Sequence, residues 1–407
     1  MCLILYQPPK TKAIVMKIAK TLLCFATVIS AFVNIAKAQV LKPAPVAGNK
    51  PILPATANAV TTPKPPVLLS TMKFGIAGLS HDHVNLILSD YRAGKVNIVG
   101  IAEANKDLRT RMQQTYNLPD SILFDDLKKM VTTKKPDVVL GYNPVAKHID
   151  IVEVCAPLGI SVMVEKPLAA TLAQASRMEF LALKNYIKLL TNYETTWYPS
   201  FQQVYKIADK DSLGQIRKMI VHDGHQGPKE IGCSKDFTSW LTDPDMNGGG
   251  ALTDFGCYGA NIMTWLMRGQ KPVAVTAIAR HYKPKTYPKV EDDATIIVEY
   301  PSATGIIEAS WNWPFSIKDL EVFGDEGYIH AIDKDNVFTH IDKMPPVTSV
   351  TPPLAPTYDN PIAYLQMVIQ DRLKGITDRS SLKNNMIVMQ ILDAAKRSIA
   401  EGKRIVL

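Results

Sequence analysis

A chain of 407 residues that is 46% hydrophobic and 21% charged can bury a substantial interior, and its length points to two domains. The formal charge of +8 would suggest nucleic acid, but residues 1–38 hold five lysines and no acid, which leaves only +3 on the remainder. No basic stripe interleaved with aromatics occurs elsewhere, so the charge pattern speaks against nucleic-acid binding.

From Met16 the sequence MKIAKTLLCFATVISAFVNIAKAQ has a basic start, an apolar run and a small-x-small site at Ala36-Lys37-Ala38. It reads as a signal peptide over 1–38, cut before Gln39, with Met16 as the true start. The run is shorter than the ~20 residues that span a bilayer, so no membrane anchor is expected. There is no twin-arginine pair, so export to the periplasm or beyond would thread the chain unfolded. Cleavage leaves Cys155, Cys233 and Cys257, which allow one disulfide at most and show no zinc spacing. Residues 39–71 are rich in Pro, Ala and Thr and read as an extended linker or arm.

From Met72 strands and helices alternate: KFGIAGL, a helix over 84–93, VNIVGIAE, helix NKDLRTRMQQTY, the short DDLKKMV, DVVLGY, helix AKHIDIVEVCAPLG and SVMVEKP. Buried, Val/Ile-rich strands between helices predict an α/β domain with a doubly wound parallel sheet, a Rossmann domain over 72–191. Beyond helix LAQASRMEFLALKNY and strand IKLLTNYE the strands lengthen and alternate: IRKMIVHDG, VAVTAIARHY, ATIIVEY, GIIEASWNW, KDLEVFGD and GYIHAID. They predict a second α/β domain over 192–407 with an open, mostly antiparallel sheet. Two amphipathic helices, the last capped at Gly402, close the chain and pack back on the first domain.

The first turn, Gly78-Leu79-Ser80-His81-Asp82-His83, aligns with G-x-G-x-x-G but keeps one glycine. Ser80 stands where backbone should approach a pyrophosphate and can offer a hydroxyl. His83 stands where helix and strand should pack closely, and Asp82 adds negative charge at a helix N-terminus that should attract phosphate. His81 and His83 lack a third ligand at recognisable spacing, so no metal is expected. Glu103 ends the second strand, where an acid takes ribose hydroxyls and favours NAD over NADP.

Glu165-Lys166-Pro167 sits at a strand's C-terminal end, where open α/β sheets bind ligands; a lysine there can donate to a substrate oxygen and lower a neighbour's pKa. Asp254 and Tyr258 are four apart after Gly248-Gly249-Gly250, so both project from one helix face. The acid can hold a hydroxyl and the phenol can exchange a proton; the plainer alternative is a buried Tyr258 satisfied by Asp254. His222, Asp223 and His225 either face the pocket or form a polar strand end. Trp197, Trp311 and Trp313 stack on a sugar ring or belong to the core. Glu291-Asp292-Asp293 reads as a solvated strand start.

Three stretches, GIAGLSHDHV, VMVEKPLAAT and GGGALTDFGCYGAN, together resemble the glucose-fructose oxidoreductase / inositol dehydrogenase / MocA-like oxidoreductases. The resemblance implies an NAD(P)-dependent enzyme that moves hydride between nicotinamide and a sugar, sugar derivative or cyclitol. It implies catalytic roles for Lys166, Asp254 and Tyr258, with Lys166 orienting the reacting hydroxyl and a cis bond before Pro167. It implies cofactor contacts at Asn143, Pro144, His148 and Lys166 and a homo-oligomer built through the second sheet; the residues themselves add Gly78, Ser80, His81, Glu103 and Glu165 as cofactor contacts and His222, His225 and Trp197 as candidate substrate contacts. An exported chain meets little free dinucleotide, which favours a retained and recycled cofactor. A redox-assisted glycoside hydrolase and a non-catalytic sugar-binding or scaffold protein are the alternatives.

Overall fold

The computed structural model describes residues 69–373 and 378–407; the signal peptide expected over 1–38 and all but the last three residues of the 39–71 arm lie outside them. Six strands, β1 (Lys73–Ala77), β2 (Asn97–Ala102), β3 (Leu123–Phe124), β4 (Val138–Gly141), β5 (Ser161–Glu165) and β6 (Leu189–Asn192), form a parallel sheet in the order 3-2-1-4-5-6. This is the doubly wound order, and its ligand crevice opens at the strands' C-terminal ends. The crossovers are α1 (Val84–Arg92), α2 (Lys106–Tyr116), α3 (Leu127–Lys134), α4 (His148–Cys155) and α5 (Leu172–Lys184). Asn105, Asp126 and Thr171 cap α2, α3 and α5 by accepting backbone N–H bonds. By contrast the N-cap of α1 is His83, whose ring makes no cap and is directed elsewhere.

The second sheet has nine strands among the described residues, in the order 14-13-12-11-7-10-9-8-15. They are β7 (Ile216–Gly224), β8 (Ala274–Arg280), β9 (Asp293–Glu299), β10 (Thr304–Ser310), β11 (Ile317–Gly324), β12 (Gly327–Ala331), β13 (Asn336–Ile341), β14 (Val347–Val350) and β15 (Ile405–Val406). Every pairing is antiparallel except β7 with β10. The helices of this half are α6 (Pro199–Asp209), α7 (Lys235–Leu241), α8 (Pro244–Asn247), α9 (Ala251–Asp254), α10 (Gly256–Leu266), α11 (Pro361–Ile369) and α12 (Leu382–Glu401). One sheet face is covered by α10, buried along its whole length, and by α12, which also meets α5. Ile362, Tyr364 and Leu365 of α11 share a core with Phe74 and Ile76, so the chain returns to the first domain.

Strand alternation sorts the second sheet into two chemistries. Met219, Val221 and Asp223 of β7 and Lys318, Leu320 and Val322 of β11 point to the covered face, with Asp223 opposite Lys318 in register. His222 and Asp319, also paired in register, point to the open face beside His330, Glu308 and Ile297. None of the described helices is long and apolar enough to cross a membrane.

Three expectations are corrected. Strands β13, β14 and β15 were not foreseen, because β13 and β14 carry polar, half-exposed residues without clear alternation. β10 ends at Ser310, so Trp311 and Trp313 lie beyond the strand. Asp292 is fully buried and takes the Tyr282 and Lys283 amides, while Glu291 takes those of Gly250 and Leu252; this acidic run braces turns instead of facing water.

Candidate active site

The first turn leaves β1 at Gly78, whose φ of +83° and position 2.6 Å, measured from an added Cβ, to the Asn143 Cβ exclude any side chain. The His81 N–H donates to the Tyr142 carbonyl, and His81 Nδ1 accepts the His83 N–H at 3.1 Å. The His81 ring is wedged against Phe237 and Trp240 of α7, and burial holds its pKa well below the ordinary 6.5. His81, expected on the cofactor, is therefore corrected to a packing residue that shapes the turn.

The crowding expected of His83 is avoided because its ring leaves the helix-sheet interface and crosses the sheet end to β5. Its Nδ1 lies 3.1 Å from Glu165 Oε2. The other Glu165 oxygen accepts from Asn192 Nδ2 at 2.9 Å, and Asn192 Oδ1 accepts from Trp197 Nε1 at 3.1 Å. Glu165 is thus buried under a ring of donors, and Trp197 is corrected from a sugar platform to the end of this bond chain, edge-on to Tyr364.

His81, His83 and Glu165 bring three metal-ligating atoms within 4.8 Å of one another, the third ligand that spacing alone did not reveal. Their bonds argue against coordination. His81 Nδ1 already accepts a backbone N–H, which leaves the proton on Nε2, and His83 Nδ1 is committed to the carboxylate.

A cavity of about 540 Å³ opens over the ends of β1, β2 and β4, lined by Gly78, Ser80, Glu103, Asn143, Pro144 and Trp240 among others. Glu103 faces it but gives Oε2 to the Leu79 N–H and Oε1 to the Asn105 N–H, each at 2.8 Å, so the acid that could meet a ribose also pins the turn. Asn143 Oδ1 and His148 Nε2 are buried without a partner. His148 Nδ1 faces the Leu168 carbonyl at 3.1 Å, and burial brings its pKa to about 4. A narrow segment of the second domain forms one wall of this cavity. Asp82 accepts the Ser234 N–H at 2.9 Å, Ser80 O accepts Trp240 Nε1 at 3.4 Å, and Arg111 pairs with Asp236 at 2.6 Å. Asp82 is therefore an interdomain acceptor, turned from the phosphate position its charge would oppose.

Beside this cleft, Lys166 Nζ donates to both the carboxylate and the carbonyl of Asp254. Asp254 Oδ2 accepts Trp311 Nε1 at 3.0 Å. Burial opposes both charges, but the mutual attraction holds the Lys166 ammonium above and the Asp254 carboxyl below their ordinary values. The Lys166–Pro167 peptide is cis. Tyr258 lies under Lys166 and Lys318, whose ammonium groups are 5.1 and 5.0 Å from its ring centre. No hydrogen bond among the described residues engages its hydroxyl, so it is not satisfied by Asp254. The expectation that Lys166 tunes this phenol downward is corrected: burial first, then Glu194 and Asp223, push it well above 10.

Sequence reasoning missed Lys318, Glu194 and the placement of Asp223. Lys318 pairs with Glu194; Lys318 and its bond outweigh burial and bring Glu194 to about 2. Asp223 is buried with an unpartnered Oδ1, and burial pushes it up to about 8. The alternation of β7 was the available signal, since Asp223 shares parity with Met219 and Val221. His222, expected at the substrate, is corrected to the open face, where Asp319 takes its Nδ1 at 2.7 Å. His225 stays near the site, edge-on to Phe255 at 4.8 Å, with burial lowering its pKa.

Two sequence profiles of one family match the chain: the oxidoreductase family, NAD-binding Rossmann fold, over residues 72–193, and the GFO/IDH/MocA C-terminal domain over 201–330. The chain belongs to the Gfo/Idh/MocA oxidoreductases. Among curated relatives of this Gfo/Idh/MocA protein, the trans-1,2-dihydrobenzene-1,2-diol dehydrogenase of Xenopus laevis is 27% identical over 63% of the chain and 74% of the relative. A D-xylose 1-dehydrogenase [NADP(+)] of Haloarcula marismortui is 23% identical over 52% of the chain and 58% of the relative. The fold is that of the Caulobacter crescentus aldose-aldose oxidoreductase complexed with glycerol, with a TM-score of 0.70 and 20% identity over 83% of the chain and all of the other. It is also that of an inositol dehydrogenase homolog complexed with NAD+ from Azotobacter vinelandii, with 0.72 and 16% over 83% and 97%. NAD is the cofactor of the family's first domain, and the residues present fit it. The Gly78 turn, the cavity over the strand ends and the orphaned Asn143 Oδ1 on its wall provide a cradle and an unmatched polar group for a dinucleotide, whereas His148 is fully buried and lies outside that lining.

Proposed function

We propose that this protein is an exported oxidoreductase that interconverts a secondary hydroxyl and a ketone on a sugar, sugar derivative or cyclitol and retains its cofactor between turnovers. The observation that carries the reading is the Lys166–Asp254–Trp311 relay, just past the C-terminal end of β5, next to a Tyr258 hydroxyl that no hydrogen bond among the described residues engages. NAD supplies the hydride acceptor or donor when bound. Lys166 and the neutral Tyr258 present N–H and O–H donors to the reacting oxygen, and the Asp254 carboxylate fixes Lys166. Lys318, Asp223 and His225 offer further polar contacts suited to a polyol, while the alternation of charges keeps the site near neutral. The Ser234–Trp240 contacts on the first turn support retention of the cofactor. The open sheet face, with Ile278 and Ile297 exposed beside the His222–Asp319–His330 cluster, supports a homo-oligomer.

The test is to denature the purified chain and examine the supernatant for NAD(H) or NADP(H) by absorbance and mass, then to titrate NAD+ and assay aldoses and inositols. Released or titratable dinucleotide with turnover supports the reading. A chain that neither carries nor binds dinucleotide is not an oxidoreductase.

A further inference from the structure

A second cavity, of about 440 Å³, lies away from the dinucleotide cleft, and none of Lys166, Asp254 and Tyr258 lines it. It is bounded by the start of α6, the end of α10, residues 351–358 and the turn at Asp378-Arg379. Its walls are mostly rings. Trp197, Tyr364 and Tyr358 follow one another with centroids 5.4 and 6.3 Å apart, and Tyr205 stacks on Trp265 at 4.1 Å. The Trp197 indole is fixed in this wall by its N–H bond to Asn192 at 3.1 Å.

The polar groups are few and incompletely matched. Arg379 borders the cavity and is 1% exposed. Its Nη1 donates to the Thr195 carbonyl and its Nη2 to Thr195 Oγ1, each at 2.6 Å, while Nε donates to Asn261 Oδ1 at 3.2 Å. The second N–H of each Nη has no acceptor, and no ion pair engages the guanidinium, among the described residues. Asp378 attracts it through space but gives Oδ1 to the Ser380 N–H at 2.8 Å, and the net effect of burial still lowers Arg379 to about 9. A buried cation whose surroundings do not repay its lost hydration favours an anion. Thr196 Oγ1, buried on the same cavity, has no partner either. The exposed Lys206 adds a second positive charge at the edge.

We propose that this cavity is a binding site for a planar aromatic carboxylate. The rings of Trp197, Tyr358 and Tyr364 receive the apolar part, and the carboxylate accepts from the unengaged N–H groups of Arg379 and from the Thr196 hydroxyl. A few placed polar groups within a largely apolar lining are what small-molecule sites share. A neutral sugar would leave the guanidinium uncompensated. The proposal is independent of the oxidoreductase reading, because no group of the dinucleotide cleft contributes to it.

Calorimetric titration of the full chain with 2-naphthoate and, separately, with the uncharged 2-naphthylmethanol tests it. One naphthoate per chain, bound about tenfold or more tighter than the alcohol, is expected. Leu354 is a half-buried loop residue on the cavity wall. Leu354→Trp should fill the space and weaken naphthoate by about tenfold or more, with the circular dichroism spectrum and denaturation midpoint unchanged. Thr196→Val should weaken naphthoate by about threefold to tenfold and leave the alcohol unaffected. A wild-type chain that binds no naphthoate at millimolar concentration, or binds it no tighter than the alcohol, overturns the proposal. So does binding that survives Leu354→Trp. Naphthoate affinity that is unchanged in saturating NAD+ supports the separate site, whereas displacement by NAD+ puts the probe in the dinucleotide cleft and overturns it.

Discussion

The indole N–H of Trp311 donates to Asp254 Oδ2 across 3.0 Å, so the carboxylate that holds Lys166 is itself held from behind. Trp311→Phe keeps an aromatic ring in the core but shrinks a fully buried side chain and leaves one buried carboxylate oxygen without a donor. The variant should lose ~1–3 kcal/mol of stability and roughly tenfold in turnover, as read from urea denaturation and steady-state kinetics. Unchanged turnover would mean that Asp254 needs no such support.

Gly78→Ala should weaken NAD+ binding by about tenfold or more. The added Cβ would lie 2.6 Å from the Asn143 Cβ on a backbone at φ +83°, so the turn and Asn143 must both shift. Titration calorimetry measures the effect, and full-affinity binding would place the cofactor away from this turn.

Asp223 gives stability a pH slope of its own. Its native carboxyl is pushed up to about 8 from an ordinary 3.8, so between those values the native state holds a proton that the unfolded chain releases. Stability therefore falls as pH rises from about 4 to about 8, by up to ~1.4 kcal/mol per pH unit. Asp223→Asn should flatten that slope and outlast the wild type at pH 8.5, with little difference at pH 4.5, in denaturant titrations at the two pH values.

His148 acts with the opposite sign. Burial keeps its native pKa at about 4 against 6.5, so on acidification the unfolded chain takes the proton first. Stability is lost as pH falls from about 6.5 to about 4, and His148→Leu should remove that part of the acid sensitivity. Denaturation midpoints measured across this range decide it; parallel wild-type and variant curves would refute it.

On the open sheet face, Ile278 and Ile297 are 56% and 37% exposed. Replacing both with lysine should reduce the solution mass to that of a single chain while leaving NAD+ affinity intact, as judged by light scattering and titration. An unchanged mass would exclude this face as the contact between copies.

Which parts of the site could be read in the sequence follows from how far apart their residues lie. Lys166 ends a buried strand, and Asp254 and Tyr258 follow a glycine turn, so local pattern places all three. The period-2 pattern of β7 puts Asp223 on the parity of Met219 and Val221, which are fully buried, whereas His222 shares its parity with the half-buried Ile216 and Ile220. The pairing of His83 with Glu165 spans 82 positions, and that of Lys318 with Glu194 spans 124, and neither has a local signal. The same holds for Ser234 and Trp240, which reach the first turn only through tertiary packing. The parallel sheet was legible because its strands are short, continuous apolar runs; the edge strand β14 and its neighbour β13 were not.

The wall that Ser234, Asp236 and Trp240 raise against the first turn also resists opening. Parting that edge means breaking the bonds to Asp82, Arg111 and Ser80 together, so any widening of the cavity mouth on this side costs three contacts at once.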